Sequence, residues 1–232
     1  MLLCLRVLTA SAAPASHSFG YYWPSPNYLD TRQAANNVAA GLNGMGYSTT
    51  LDNNSAYAWT PRDVIGQDAV FFIFTHGAPG LLQGNGNTLF TAYESSNNYA
   101  YSIQYKYKNT SNKLRYVRFA VMGGCDTGFW GSTYGDFPSI LTNYGVDSHI
   151  TFRGTIFQMW INNEDKGAGY YFNNLFWYLS QNYDVYQSDM YARRDVYNAI
   201  GEYAGTNNSS IGGANAYPTG VKLIPAGYGS YY

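Results

Sequence analysis

A chain of 232 residues with 13 Lys and Arg against 14 Asp and Glu, and a net charge of -1, has room for one full core but offers no basic surface able to neutralise a run of phosphates, which argues against a nucleic-acid partner. No stretch approaches the roughly 20 consecutive apolar residues that cross a bilayer. Only 12% of the residues are charged while 25 are Tyr, a balance that suits a secreted or cell-surface protein better than a cytosolic one.

Residues 1–16, MLLCLRVLTASAAPAS, combine a short apolar stretch with small residues and read as a leader-like segment, the remnant of a secretory signal. The remainder, 17–232, is expected to form a single domain. Removal of the leader would take Cys4 away and leave Cys125 as the lone thiol. His17 lies next to the leader and has no evident partner.

From there the chain alternates between strand and helix patterns. Residues 19–23 suggest a first strand, ended by Pro24 and Pro26. Asp30 and Thr31 offer an N-cap to a helix whose inward face is Ala34, Ala35, Val38, Leu42 and Met45. Tyr47–Leu51 suggests a second strand, and Thr60-Pro61 opens a short helix through Ile65. Ala69–Phe74 is a continuous apolar run, the pattern of a parallel strand buried on both faces. Leu81-Leu82 and Thr88–Phe90 flank a Gly/Asn-rich turn and suggest a hairpin. Tyr99, Tyr101, Tyr105 and Tyr107 alternate at strand spacing, as an edge strand within a polar excursion would. Tyr116–Met122 is a second buried strand. A helix is expected over 137–144, a strand over 149–157, and helices over 169–183 and 188–203, the last with Met190, Val196 and Ile200 inward. Val221–Pro225 would close the sheet. This order points to an α/β fold, a three-layer α/β/α sandwich around a mostly parallel central sheet.

Two turns hold the chemistry. Phe71-Phe72-Ile73-Phe74 ends in Thr75-His76-Gly77, and Phe119-Ala120-Val121-Met122 ends in Gly123-Gly124-Cys125-Asp126. Each is the carboxyl end of an apolar strand, where sites form in open α/β sheets. A lone Cys after an apolar run is more often a packed core residue, and a lone His more often structural. The pairing of the two at equivalent places, each beside Gly, favours a site. A thiol is nucleophilic as thiolate, and a nearby imidazolium lowers its pKa. Gly77 and Gly123-Gly124 would let a substrate backbone approach closely. No Gly-x-Ser-x-Gly supports a serine hydrolase, and three scattered His make no metal site. No cofactor is expected.

The layout resembles that of the caspase-like cysteine peptidases (clan CD), which include caspases, legumains, metacaspases, gingipains and clostripains. Thr75-His76-Gly77-Ala78-Pro79-Gly80 is similar to the legumain-type His-Gly turn, and Cys125-Asp126-Thr127-Gly128 to the Cys-x-Ser-Gly of legumains and metacaspases. The resemblance implies a caspase-like fold and a cysteine endopeptidase acting on a polypeptide substrate. It makes Cys125 the nucleophile and His76 the general acid/base, with the backbone N–H groups of Gly77 and Cys125 as oxyanion hole. Gly124 departs from the usual Ala or Cys, and Gly123 from the acidic residue of legumains. No paired Arg and Gln supports Asp-directed cleavage. Substrate-binding candidates are Asp126, Asp52 and Glu164, the last beside Asp165 and Trp160; each also reads as a turn or solvated loop residue. A non-catalytic binding module or a Cys-dependent transpeptidase on the same fold are the alternatives.

Overall fold

The computed structural model describes residues 13–94, 101–111, 113–129 and 133–223. Cys4, Tyr99 and most of the leader-like segment lie outside these. In chain order the strands and helices of the first half are β1 (Ala15–Gly20), β2 (Tyr22–Trp23), β3 (Leu29–Asp30), α1 (Arg32–Gly44), β4 (Ser48–Asn53), α2 (Trp59–Val64), β5 (Val70–Phe74), β6 (Gly77–Ala78), β7 (Leu81–Gly84) and β8 (Thr88–Thr91). The second half holds α3 (Ile103–Tyr107), β9 (Phe119–Gly123), α4 (Phe137–Tyr144), β10 (Ser148–Phe152), β11 (Trp160–Ile161), β12 (Glu164–Asp165), α5 (Ala168–Ser180), α6 (Val185–Ile200) and β13 (Ser209–Gly212).

The main sheet has six strands in the order β13-β10-β9-β5-β1-β4, all parallel except the antiparallel β13. Every residue of β5 and β9 is buried, as their unbroken apolar composition requires of central strands covered on both faces. Alternation along β5 divides the core. Val70, Phe72 and Phe74 pack with α1, α5 and α6 side chains such as Val38, Phe172, Phe176 and Val196. Phe71 and Ile73 face the opposite layer with Phe90, Ile103, Phe137 and Ile140. This is the expected three-layer sandwich.

Local signals explain where the helices start and stop. Asp136 accepts the Ser139 N–H at 2.6 Å ahead of α4, and Gly145, at φ 97°, ends it in the left-handed conformation that glycine adopts without a Cβ penalty. A capping box of Asp184 and Gln187 opens α6. At α1 the expected cap is replaced by something else. The buried Thr31 hydroxyl donates to the Phe74 carbonyl at 2.6 Å instead, tying the helix start to the end of β5.

Several expectations are corrected. The first strand is β1, which takes in Ala15 and Ser16 and ends at Gly20, before the aromatic pair Tyr22–Trp23. His17 is not without a partner, because its Nδ1 lies 2.8 Å from the buried Asp68 carboxylate. Among its described residues the Tyr-rich stretch forms helix α3 and no edge strand: Ser102 caps it by accepting the Tyr105 N–H, and Tyr107 turns inward to bond the Gly66 N–H and the Arg62 carbonyl. The sheet is closed by β13 rather than by residues 221–225, of which 221–223 belong to no strand and the rest lie outside the described residues. Strand β10 stops at Phe152, freeing 153–159 for the site. Met190 is exposed, while Ala192 and Val196 carry the inward face of α6. Among the described residues no helix is long and apolar enough to cross a membrane.

Candidate active site

Pairing of β5 with β9 sets Phe74 opposite Gly123. His76 and Cys125 each lie two residues beyond that pair, so adjacent parallel strands deliver both to the same end of the sheet. They line one groove of about 250 Å³, together with Tyr28, Thr75, Ile156, Gln158 and Trp160. The structure therefore brings the two side chains to a common cavity.

The His76 turn is held on several sides. The Thr75 N–H donates to the Gly123 carbonyl at 2.9 Å, and the Thr75 hydroxyl donates to the Gln83 carbonyl at 2.8 Å while accepting the Trp23 indole N–H at 3.1 Å. The Trp23 ring also tilts against the imidazole, with centroids 5.9 Å apart. His76 Nε2 lies 2.9 Å from the Asn27 carbonyl oxygen. A carbonyl only accepts, so the proton sits on Nε2, and Nδ1 is the nitrogen left to exchange one.

The Cys125 turn is anchored to the end of β10. The Asp126 N–H donates to the Gly154 carbonyl at 3.0 Å and the Gly128 N–H to that of Phe152 at 2.7 Å. Buried Thr127 pins the loop on itself, its hydroxyl donating to the Met122 carbonyl at 2.8 Å and accepting the Phe152 N–H at 3.1 Å. Gly77 is required by close approach: a Cβ there would stand 2.7 Å from the Cys125 carbonyl oxygen and 3.0 Å from its nitrogen. Cys125 itself is half-buried and donates weakly to the Ile156 carbonyl, at 3.5 Å. Burial pushes its thiol pKa up, the Ile156 bond opposes this, and the Asp126 carboxylate adds to the rise. Burial and the Asp126 charge thus favour the thiol over the thiolate.

The three substrate-binding candidates fall in different places. Asp126 has a left-handed backbone, φ 60°, and its charge disfavours the thiolate beside it. Asp52, at the end of the edge strand β4, lines neither the groove nor the cavity next to it; its Oδ1 accepts from the Ser55 N–H, the Ser55 hydroxyl and the Ala56 N–H, closing a turn. Glu164 lines that second cavity, also about 250 Å³, which shares Gln158 and Trp160 with the groove. It is paired there with Lys166, which holds its carboxyl below the usual range.

Sequence reasoning missed Asn27, Trp23, Ile156 and Gln158. Two of them act through backbone carbonyls, which any residue type could supply. Asp165 was seen only as a neighbour of Glu164, yet it is the half-buried member, and its oxygens accept from the backbone N–H groups of Met159, Gly167 and Gly169.

No family model matches the chain, and no curated protein matches its sequence. Solved structures do. The Arg-specific cysteine proteinase gingipain R (RGPB) aligns at a TM-score of 0.60 and 12% identity over 90% of this chain, which spans 47% of that protein's length. Caspase-1 from Spodoptera frugiperda aligns at a TM-score of 0.53 and 13% identity, covering 88% of this chain and 86% of that one. A pro-form of caspase-1, pro-sf-caspase-1, gives 0.55 and 11%, covering 88% and 91%. At such identities the likeness is one of fold: the chain is built on the caspase-like α/β sandwich.

Proposed function

We propose that the chain is a cysteine peptidase in which Cys125 is the nucleophile and His76 the general acid/base. The observation that carries this reading is the shared groove: two strand ends in register present a thiol and an imidazole to one cavity. The cysteine-peptidase neighbours of the same fold support it.

In the reaction, the Cys125 thiol passes its proton to His76 Nδ1 and the sulfur attacks the scissile carbonyl carbon. The carbonyl oxygen, now negative, is stabilised by the backbone N–H groups of Gly77 and Cys125. His76 Nδ1 protonates the departing amine as the C–N bond breaks, leaving an acyl-enzyme on Cys125. Water then attacks that thioester, His76 takes its proton, and the acid product leaves with the thiol restored. The Asn27 carbonyl, by holding Nε2, keeps the imidazole in the tautomer this needs.

One observation favours a non-catalytic binding module instead: the thiol donates to the Ile156 carbonyl, and burial favours its protonated form. Both readings meet the same experiment. The purified chain is incubated with a peptide library and with casein, alongside Cys125→Ala and His76→Ala. Cleavage by wild type that both variants lose supports the peptidase. Cleavage that persists in Cys125→Ala overturns it, and no cleavage by any protein moves the binding module ahead.

A further inference from the structure

The groove and the second cavity are neighbours, and Gln158 and Trp160 form the boundary between them. The two are held very differently. Trp160 is 39% exposed, in the two-residue strand β11. Every polar atom of the Gln158 carboxamide is engaged. Its Oε1 accepts the Asp30 N–H at 3.0 Å, and its Nε2 donates to the Asp30 carbonyl at 2.5 Å and to Asp165 Oδ2 at 3.0 Å. A flipped amide would set its oxygen against two acceptors, so only one orientation satisfies all three bonds.

Asp165 is the anchor of this arrangement. Its Oδ1 accepts from Met159 N–H at 3.0 Å and Gly167 N–H at 2.8 Å, and its Oδ2 from Gly169 N–H at 2.8 Å, at the start of the 13-residue α5. Helix α5 packs in the core, so the carboxylate, and through it the amide, is fixed to the body of the domain. Gln158 in turn joins residues 156–160, which carry the carbonyl facing Cys125, to β3, whose Leu29 also lines the groove. A wall of fixed position between two cavities limits how far a side chain seated beside Cys125 can extend.

We propose that Gln158 is a specificity-determining residue of the Cys125 groove: its carboxamide, oriented by Asp165, closes off the second cavity and limits the length of the substrate side chain bound next to the thiol. This rests on the peptidase reading for the identity of the substrate, but not for the geometry of the wall. Truncation to Ala joins the two cavities and admits longer side chains.

The test uses the full chain and two alkylating probes, chloroacetamide and N-hexylchloroacetamide, with modification at Cys125 quantified by peptide mapping. One methylene of misfit in a pocket is worth roughly tenfold, so the ratio of long-probe to short-probe rate is expected to rise at least about tenfold in Gln158→Ala and less in Gln158→Asn, which shortens the wall by one methylene. Thermal unfolding reports whether each variant is folded, and Gln158→Asn carries the test if the Ala variant is not. An unchanged ratio in a folded variant overturns the proposal. Peptide-library profiles separate the two readings. A shifted ratio with no cleavage by any variant keeps the wall and removes the peptidase; cleavage with unchanged profile and ratio keeps the peptidase and removes the wall.

Discussion

The α-carbon of Gly77 is packed against the backbone of Cys125 so closely that a Cβ on it would sit 2.7 Å from the Cys125 carbonyl oxygen. The two turns that carry the thiol and the imidazole are therefore in contact through main chain, not only through side chains. Gly77→Ala must push them apart. The expected cost is about 1–3 kcal/mol of stability, as for other overpacked sites, measured by urea unfolding. Alkylation at Cys125 should also change rate, because the thiol moves relative to Ile156. A Gly77→Ala protein with wild-type stability and alkylation rate would show that the turns are not so tightly abutted.

On the proposed mechanism, Cys125→Ala removes the covalent route altogether, and hydrolysis should fall to background. His76→Ala removes proton transfer alone, with an expected loss of roughly 10²–10⁴-fold in kcat. Initial rates on a peptide that the wild type cleaves decide this. Asn27→Ala should have little effect, since the contact to Nε2 comes from a backbone carbonyl. A large loss in Asn27→Ala would point to the Asn side chain.

Burial raises the Cys125 pKa in the free protein, so the thiolate forms only above the usual thiol range, near pH 8.5. The rate of reaction with iodoacetamide should climb steadily with pH through 8 and beyond. Asp126→Asn removes a charge that disfavours the thiolate, and the rise should begin at lower pH. A rate already at its plateau below pH 7 would mean an imidazolium–thiolate pair and would contradict the neutral thiol.

His149 is buried on β10, with Nε2 3.2 Å from the Thr142 hydroxyl, and burial pushes its pKa down to about 4. An unfolded chain protonates the same imidazole near pH 6.5, so between these values the unfolded state binds more protons and stability falls as pH drops. The expected loss from this group between pH 7 and pH 5 is about 2 kcal/mol. Comparing the pH dependence of urea unfolding in wild type and His149→Gln isolates it. Equal slopes in the two proteins would mean that His149 is not held neutral.

What the sequence disclosed follows from how each element is stabilised. β5 and β9 were legible because strands buried on both faces must be apolar throughout, and α4 and α5 because their inward faces repeat at helical spacing. β1 was placed late because its first residues are polar though buried: the Ser16 hydroxyl bonds that of Thr49, and the Ser18 hydroxyl donates to the Ala35 carbonyl. Such strands are stabilised by pairing that no hydrophobic pattern announces. β13 escaped because a short antiparallel edge strand reading Ser-Ser-Ile-Gly is only half-buried. The Tyr alternation around α3 misled because tyrosines can serve as hydrogen-bonding anchors from a helix, as Tyr107 does. Of the candidate site, His76 and Cys125 were visible as rare residues at strand ends. Gln158 was not, since its role depends on Asp30 and Asp165, brought to it only by the folded chain.

His76 and Cys125 are 49 positions apart in the chain, but their alignment is set by the register of β5 against β9. A connection of this kind tolerates growth wherever its residues stay out of the core, since doubling the length of a closed loop costs only about 0.6 kcal/mol in chain entropy. Whole modules could be spliced in there, or exchanged for others, while the two side chains kept their places at the sheet end.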